Sequence, residues 1–386
     1  PAILVGSGVH VSRTYSGFER LIRRLQIPVT TAWTAIDLLP TDDPLYCGRP
    51  GTIGDRPGNF TIQNSDLLLT IGCRLAIRQV SYNWQSFARK AFKVQVDIDR
   101  AEFEKPMAIP DLPIHSDCGF FFEAMDKALL DYDGSGFRDW LAWCKDRLKK
   151  YPVVLPRHRV RSESINPYHF MEALFARLAP GDTVVCGNAT ASVISFQAAE
   201  VKPGQRIFAN AGSASMGYDL PAAIGAACAR NSGRVVCLAG DGSIMMNLQE
   251  LQTIAANALP IKIMVLNNAG YLSIRSTQMD FFHRLFGESR TSGISFPNFA
   301  AVGAAFGIAS IRLSGPSFEA EMERFLALDG PALADVILDG RQPFEPKLAA
   351  RVLPDGRIVS PELEDMSPFL SREELQSNLF FTLDGQ

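Results

Sequence analysis

Apolar residues in this 386-residue chain gather in short continuous runs, separated by stretches where they recur every three or four positions. Ala2 to Val5, Ile27 to Thr30, Leu67 to Ile71 and Val94 to Ile98 are too short for helices and predict strands. Phe18, Leu21, Ile22 and Leu25 share one face of a predicted helix after the first run. Asp117 to Leu130 and Phe137 to Lys150 repeat the helical period, the second through Trp140, Leu141, Cys144 and Leu148. Further strands are predicted at Thr183 to Cys186, Ile207 to Ala209, Val235 to Ala239, Ile261 to Leu266, Ile308 to Ile311 and Leu333 to Leu338. Strands and helices that alternate in this way predict an α/β fold of two doubly wound, Rossmann-like domains with mainly parallel sheets.

The pattern also divides the chain. Periodicity lapses between Tyr151 and Pro167, a stretch rich in proline and arginine, which predicts a linker at 151–166 between a domain at 1–150 and a second at 167–340. From Arg341 onwards proline and charge dominate, so 341–386 is expected to be an arm that packs over another domain or subunit.

Composition narrows the function classes. The chain is 47% hydrophobic and 20% charged with a formal net charge of −3, and its Lys and Arg are dispersed, so neither nucleic acid nor an anionic membrane is an expected partner. No apolar run approaches the roughly 20 residues that cross a bilayer. There is no signal-like start, and the seven cysteines form no Cys-x-x-Cys pair, so they read as reduced core residues of a cytoplasmic protein. The five histidines show no ligand spacing.

One stretch carries chemistry. Gly240-Asp241-Gly242-Ser243 follows the run Val235 to Ala239, and the run Ile261 to Leu266 ends in Asn267-Asn268, placing Asn268 27 positions after Asp241. Two hard oxygen ligands can thus sit at the ends of two strands joined by one helical crossover. Mg²⁺ binds few protein side chains and takes its other ligands from water and phosphate oxygens, so one carboxylate and one amide suffice. Gly240 and Gly242 let the backbone turn sharply and bring N–H groups close to a diphosphate. Leu248, Leu251, Gln252, Ile254 and Ala255 predict a helix running on from Ser243, its N-terminus toward the same anion.

GDGS followed by NN resembles the cofactor signature of thiamine diphosphate (ThDP) enzymes. The stretch Gly212-Ser213-Ala214-Ser215-Met216-Gly217-Tyr218-Asp219-Leu220-Pro221-Ala222-Ala223-Ile224-Gly225-Ala226 is similar to the acetohydroxyacid synthase (acetolactate synthase) branch. The resemblance implies that Asp241, Asn268 and the carbonyl of Gly270 hold Mg²⁺. It implies that Gly240, Gly242 and Ser243, with Gly187 and Asn188, bind the diphosphate, and that Ala214 lies in the same cofactor site. It also implies that Met216 wedges between the two rings of the cofactor and keeps it bent, with Ile274 as a second apolar support. Read from the residues alone, the preferred reading of Met216 is a core methionine in a Gly/Ala-rich helix.

In the first domain the Gly6-Ser7-Gly8 turn is a weak nucleotide signal, since Val11 stands where a third glycine is wanted. The resemblance implies instead a FAD that transfers no electrons, held at Gly48, Gly51, Arg74, Arg78 and Asp97. Leu75-Ala76-Ile77 replaces the family's aromatic and paired acids there. A purely structural middle domain is the other reading.

For the substrate, the resemblance implies decarboxylation of a 2-keto acid, pyruvate by default, with transfer of the acyl unit to a carbonyl acceptor. Thr277 stands where the resemblance places a tryptophan of acetohydroxyacid synthases, and with Gln278, Arg275, Phe281 and Phe282 it is expected to shape a wider, more polar acceptor pocket, for instance for a keto-sugar, with Phe281 and Phe282 equally readable as lid or core residues. The family also needs a glutamate from a pyrimidine-binding domain, of the same or another chain, and the sequence is expected to begin at the middle domain without one. Two readings follow: part of a ThDP-dependent carboligase or lyase acting as a homodimer or larger oligomer, or a separate ThDP/Mg²⁺-binding subunit active only with a pyrimidine-domain chain.

Overall fold

Each early apolar run becomes a strand of one parallel sheet. β1 (Ala2–Val5), β2 (Val29–Thr31), β3 (Leu67–Ile71), β4 (Phe92–Asp97) and β5 (Leu112–His115) lie in the order β2-β1-β3-β4-β5. The apolar pattern missed β5, an edge strand with Pro113 inside it and little buried surface, which is where a sheet tolerates proline. The structure, a computed structural model, describes residues 1–229, 233–352 and 355–381. It divides into a first unit of residues 1–153 with those from Glu345 onward, and a second of 154–344.

In the first unit, helix Tyr15–Leu25 buries Phe18, Leu21 and Ile22 against Phe121 and Phe122 of helix Cys118–Ala128 on one face of the sheet. On the other, Leu4, Leu68, Leu75, Val80 and Phe87 gather around Leu363 of the C-terminal segment. That segment is fixed to helix Arg56–Gln63: Asn59 Nδ2 donates to Leu363 O at 2.8 Å, and Gln63 Nε2 to Glu364 Oε2 at 2.6 Å. The expected linker is shared out. Tyr151 bonds Glu374 in the first unit, whereas the buried His158 stacks on Tyr168 at 4.7 Å in the second.

The order of strands places a reversal between β1 and β3, where open α/β sheets receive ligands. Here the two turns close on each other. A methyl at Gly6 would fall 2.2 Å from the Gly72 carbonyl, and one at Gly8 2.6 Å from Gly72 Cα. This contact alone accounts for both glycines of the Gly6-Ser7-Gly8 turn.

The second unit holds β6 (Thr183–Cys186), β7 (Arg206–Ala209), β8 (Val235–Gly240), β9 (Ile261–Asn267), β10 (Ala309–Leu313) and β11 (Ala332–Ile337), all parallel, in the order β10-β11-β9-β8-β6-β7. The four central strands are buried nearly throughout, which is why they read as unbroken apolar runs and not as alternation. Each fully buried Val, Leu or Ile there contributes about 1.5–3 kcal/mol. The fold class is therefore as expected: two α/β units, each a parallel sheet with flanking helices. Among the described residues no helix is long and apolar enough to cross a membrane.

In this sheet the chain leaves β6 for β7 on one side and returns to β8 on the other. The reversal lies between β6 and β8, so their carboxyl ends open a crevice. Gly187 follows β6, and β8 ends at Gly240.

Candidate active site

Asp241 begins a single helical turn, Asp241–Ile244, directly after β8. The predicted helix from Ser243 is broken. Asn247 turns its amide to the Gly217 carbonyl at 2.7 Å, Met245 and Met246 are exposed, and the helix proper is Glu250–Ala256. Any anion at this turn therefore meets a short run of backbone N–H groups and not the end of a long helix.

The Asp241 carboxyl is 2% exposed; its Oδ1 accepts from Gly242 N–H at 2.8 Å and its Oδ2 from Gly270 N–H at 2.9 Å. Burial pushes it up to about 6, against the pull of those amides, of the Asn268 backbone and of Arg275. A buried carboxylate without a cation beside it is costly, and a divalent ion would reverse the cost. Asn268, 5% exposed, lies in the neighbouring strand's loop. Its Nδ2 donates to Thr190 Oγ1 at 3.1 Å and its Oδ1 has no partner. One buried carboxylate and one orphaned amide oxygen at adjacent strand ends suit a hard cation such as Mg²⁺.

The surrounding loops hold an unusual backbone. Ala189, Ala214 and Ala269 all take positive φ, at 51°, 50° and 55°. Alanine in that region costs on the order of 1 kcal/mol or more, and such strain clusters at functional sites. Glycine is compulsory at two places: a methyl at Gly242 would fall 1.9 Å from the Tyr271 ring, and one at Gly270 2.2 Å from the Glu288 carbonyl. The buried Gly187 ends β6 by donating to Leu238 O at 2.8 Å.

Side chains expected to face the diphosphate are spent on the loop opposite. Asn188 Nδ2 donates to the Ala214 carbonyl, and Ser243 Oγ accepts from Gly217 N–H at 2.9 Å. What Ser243 leaves for an anion is its backbone N–H. Met216 is no core methionine: it stands 39% exposed in the irregular turn ahead of helix Asp219–Ala229. Ile274, on helix Leu272–Phe282, is likewise exposed.

Of the expected pocket residues, Thr277 is exposed on that helix, while Gln278 is committed. Its amide donates to Phe286 O at 2.9 Å and accepts from Phe286 N–H at 2.8 Å, closing the loop after the helix. Arg275 turns the other way. It pairs with the buried Glu288 at 2.6 Å and donates to Gly340 O at 2.7 Å, bracing the Ala269–Gly270 turn. Sequence reasoning missed Thr190, Glu288 and Asn247 in these roles. None had a local signal, because the partner that gives each its role stands 13 positions away for Glu288, 30 for Asn247 and 78 for Thr190.

In the first unit, Gly51 backs onto the Arg78 carbonyl, which also accepts from Thr52 N–H at 2.9 Å, so the Gly48–Gly54 loop and the Arg78 turn form one wall. The Arg74 and Arg78 side chains are exposed there. Gly48 is required by its own loop, since a methyl would fall 2.5 Å from Gly58 N. Asp97, at the end of β4, is buried and caps Asp99 N–H at 3.0 Å.

A doubly wound domain with a metal-ready acid and amide at adjacent strand ends beside its strand reversal defines a class, and sequence comparison agrees with it. Residues 187–336 match the model of the thiamine pyrophosphate enzyme C-terminal TPP binding domain, and residues 1–125 that of the central domain. The chain belongs to the thiamine pyrophosphate enzyme family. Within it, the branch is the acetohydroxyacid synthase-like one. The chain is 30% identical over 354 residues to an acetolactate synthase large subunit of Cyanidium caldarium, covering 90% of this chain and 59% of that protein. With the acetolactate synthase isozyme 2 large subunit of Escherichia coli (strain K12) the identity is 29% over 373 residues, covering 95% and 64%. With an acetolactate synthase large subunit of Porphyra purpurea it is 32% over 345 residues, covering 87% and 56%. The chain thus spans between 56% and 64% of the length of these relatives.

Proposed function

We propose that the second unit binds ThDP with Mg²⁺ across the carboxyl ends of β6, β8 and β9, and that the protein decarboxylates a 2-keto acid and transfers the acyl unit to a carbonyl acceptor. The observation that carries this reading is the pairing of the buried Asp241 carboxyl with the unpartnered Oδ1 of Asn268. Bound ThDP supplies a nucleophilic thiazolium carbon that takes up a 2-keto acid and stabilises the charge left when CO₂ departs.

The chain's own residues hold and shape that cofactor. Asp241, Asn268 and the Gly270 carbonyl ligate the metal, and the Ser243 N–H group with the Gly187–Asn188 turn receives the diphosphate, the Gly242 N–H being given to Asp241 Oδ1. Exposed Met216 and Ile274 offer apolar surface to the rings. Thr277, small and exposed, leaves the acceptor side open, which fits an acceptor larger than a simple keto acid. Pyruvate is the proposed donor.

Exposed Met245, Met246, Met279, Phe281, Phe282 and Phe286 accompany Met216 and Ile274 in the second unit. That apolar surface supports coverage by a second polypeptide surface, proposed to be the pyrimidine-binding domain of the same or another chain in a homo-oligomer. A cytoplasmic location is proposed from composition. FAD on the first unit is a separate proposal, resting on the exposed Arg74 and Arg78 beside the Gly48–Gly54 loop. Titration calorimetry with Mg²⁺ and ThDP tests the central reading, followed by mass spectrometry of product from pyruvate and a panel of aldehydes and ketones. Failure to bind ThDP in the presence of Mg²⁺ would sink it.

A further inference from the structure

One turn after β9 carries both Asn268 and the Gly270 carbonyl, two of the proposed metal ligands, and a single guanidinium ties that turn to its surroundings. Arg275, near the start of helix Leu272–Phe282, engages all three of its nitrogens: Nε donates to Glu288 Oε2 at 2.6 Å, Nη1 to the Gly340 carbonyl at 2.7 Å and Nη2, more loosely, to the Ala269 carbonyl at 3.4 Å. Its planar fork therefore joins the metal-ligand turn, the segment after β11 and the loop after the helix.

Both peptide planes of the turn are held. The Ala269–Gly270 peptide gives its N–H to Asp241 Oδ2 at 2.9 Å and receives Arg275 on its carbonyl. The Gly270–Tyr271 peptide gives its N–H to the Glu288 carbonyl at 2.8 Å. In a trans peptide the N–H and C=O point in opposite directions, so this bond aims the Gly270 carbonyl away from Glu288. Glu288 is itself fixed: its carboxylate, 1% exposed, takes Arg275 and the Ser289 and Ser292 hydroxyls, and its N–H donates to Ser292 Oγ at 2.9 Å. Space leaves little play. A methyl on Gly270 would fall 2.2 Å from the Glu288 carbonyl and 2.7 Å from Arg275 Nη2, and one on Gly340 2.6 Å from the Asn268 carbonyl and 2.9 Å from Arg275 Nη1.

We propose that Arg275 and Glu288 are positioning residues for the Gly270 carbonyl, holding the ligands of this turn at the separation Mg²⁺ requires and so setting its discrimination against larger divalent cations. This rests on the ThDP reading above. Mg²⁺ demands near-ideal octahedral geometry at about 2.0–2.1 Å, whereas Ca²⁺ accepts irregular geometry at about 2.3–2.6 Å. A clamped turn disfavours the larger ion, and a slackened one admits it. Lysine cannot replace the fork, because a single ammonium does not span acceptors on three segments.

The test titrates Mg²⁺ and, separately, Ca²⁺ into the 386-residue chain with ThDP at fixed concentration, and reads by calorimetry the cation concentration that half-saturates ThDP binding. The unaltered chain should favour Mg²⁺. Arg275→Lys keeps a charge beside Glu288 but loses the fork, and should narrow that preference by about tenfold, the scale of one lost hydrogen bond to a charged group. The double variant Arg275→Met with Glu288→Gln, which leaves no buried charge unpaired, should narrow it as far. Glu288→Gln alone, whose amide oxygen still accepts from Arg275 Nε, should keep it. An unchanged preference in Arg275→Lys and the double variant would overturn the inference, including where both cations weaken in parallel, which indicates support of the fold alone. Where the double variant does not fold, Arg275→Lys decides by the same criterion. ThDP binding by the unaltered chain that both cations support equally would overturn the inference and leave the cofactor reading standing; no ThDP binding with either cation would overturn both.

Discussion

Asn268 Nδ2 lies 3.1 Å from Thr190 Oγ1, and that bond leaves Oδ1 as the unpartnered atom of the amide. Thr190 is the first residue of the helix after β6 and Asn268 follows β9, so residues 78 positions apart jointly orient one proposed metal ligand. The proposed ligand of one loop is aimed by a residue of another.

The proposed metal site is testable through that arrangement. Asp241→Ala should abolish Mg²⁺-dependent ThDP binding, since it removes the anionic ligand, and Asn268→Ala should weaken it strongly. Thr190→Val should weaken it by an intermediate factor and Thr190→Ser should not, because only the hydroxyl orients the amide. Calorimetry showing unchanged affinity for a folded Asp241→Ala protein would refute the assignment.

Ligand-free stability should carry the mark of Asp241. Its carboxyl is raised to about 6 from an ordinary 3.8, so between those values the folded state binds more protons than the unfolded one. Stability contributed by this group is therefore greatest at low pH and declines as pH rises through that window. Asp241→Asn should remove the decline. Relative to the unaltered chain, the variant should melt higher at about pH 7 than at about pH 4 in the absence of Mg²⁺. A difference between the two proteins that does not change with pH would show the carboxyl to be unperturbed.

What the sequence made legible was whatever repeats along the chain. Buried central strands such as Val235–Gly240 and Ile261–Asn267 are unbroken apolar runs and were found within a residue or so at each end. Leu112–His115 was not, because an edge strand with a proline carries no such run. The acid and amide of the site were visible because each closes a strand. Thr190, Asn247 and Glu288 were not, for their roles depend on which loops the fold brings together. Asn188, Ser243 and Gln278 show the converse: polar residues in the expected loops whose side chains the fold turns toward backbone.

The first unit offers a visible test. With Arg74 and Arg78 exposed beside the Gly48–Gly54 loop, protein carrying this unit should purify yellow or take up added FAD. Replacing both arginines with alanine should abolish the uptake, since they are the proposed charge for its diphosphate. A colourless protein that binds no FAD at concentrations on the order of tens of micromolar, where a dissociation constant near 1 μM would give saturation, would leave a structural middle domain.

The last prediction concerns the proton chemistry at the aminopyrimidine. The acidic side chains closest to the site's loops are buried and held within the second unit: Asp241 by the Gly242 and Gly270 amides, Asp219 by the Leu220 amide, Glu288 by Arg275 and Ser289. None is free to serve N1′ of the pyrimidine, the task expected of a glutamate on a pyrimidine-binding domain. General acid–base groups commonly contribute about 10²–10⁴-fold, so residues 1–386 by themselves should release almost no CO₂ from pyruvate. Adding a pyrimidine-domain polypeptide from the same source should restore turnover, and changing its glutamate to glutamine should remove it again. Should the 386-residue chain alone turn over pyruvate at roughly 1–10³ per second, the activating group must lie within it and this division of labour is wrong.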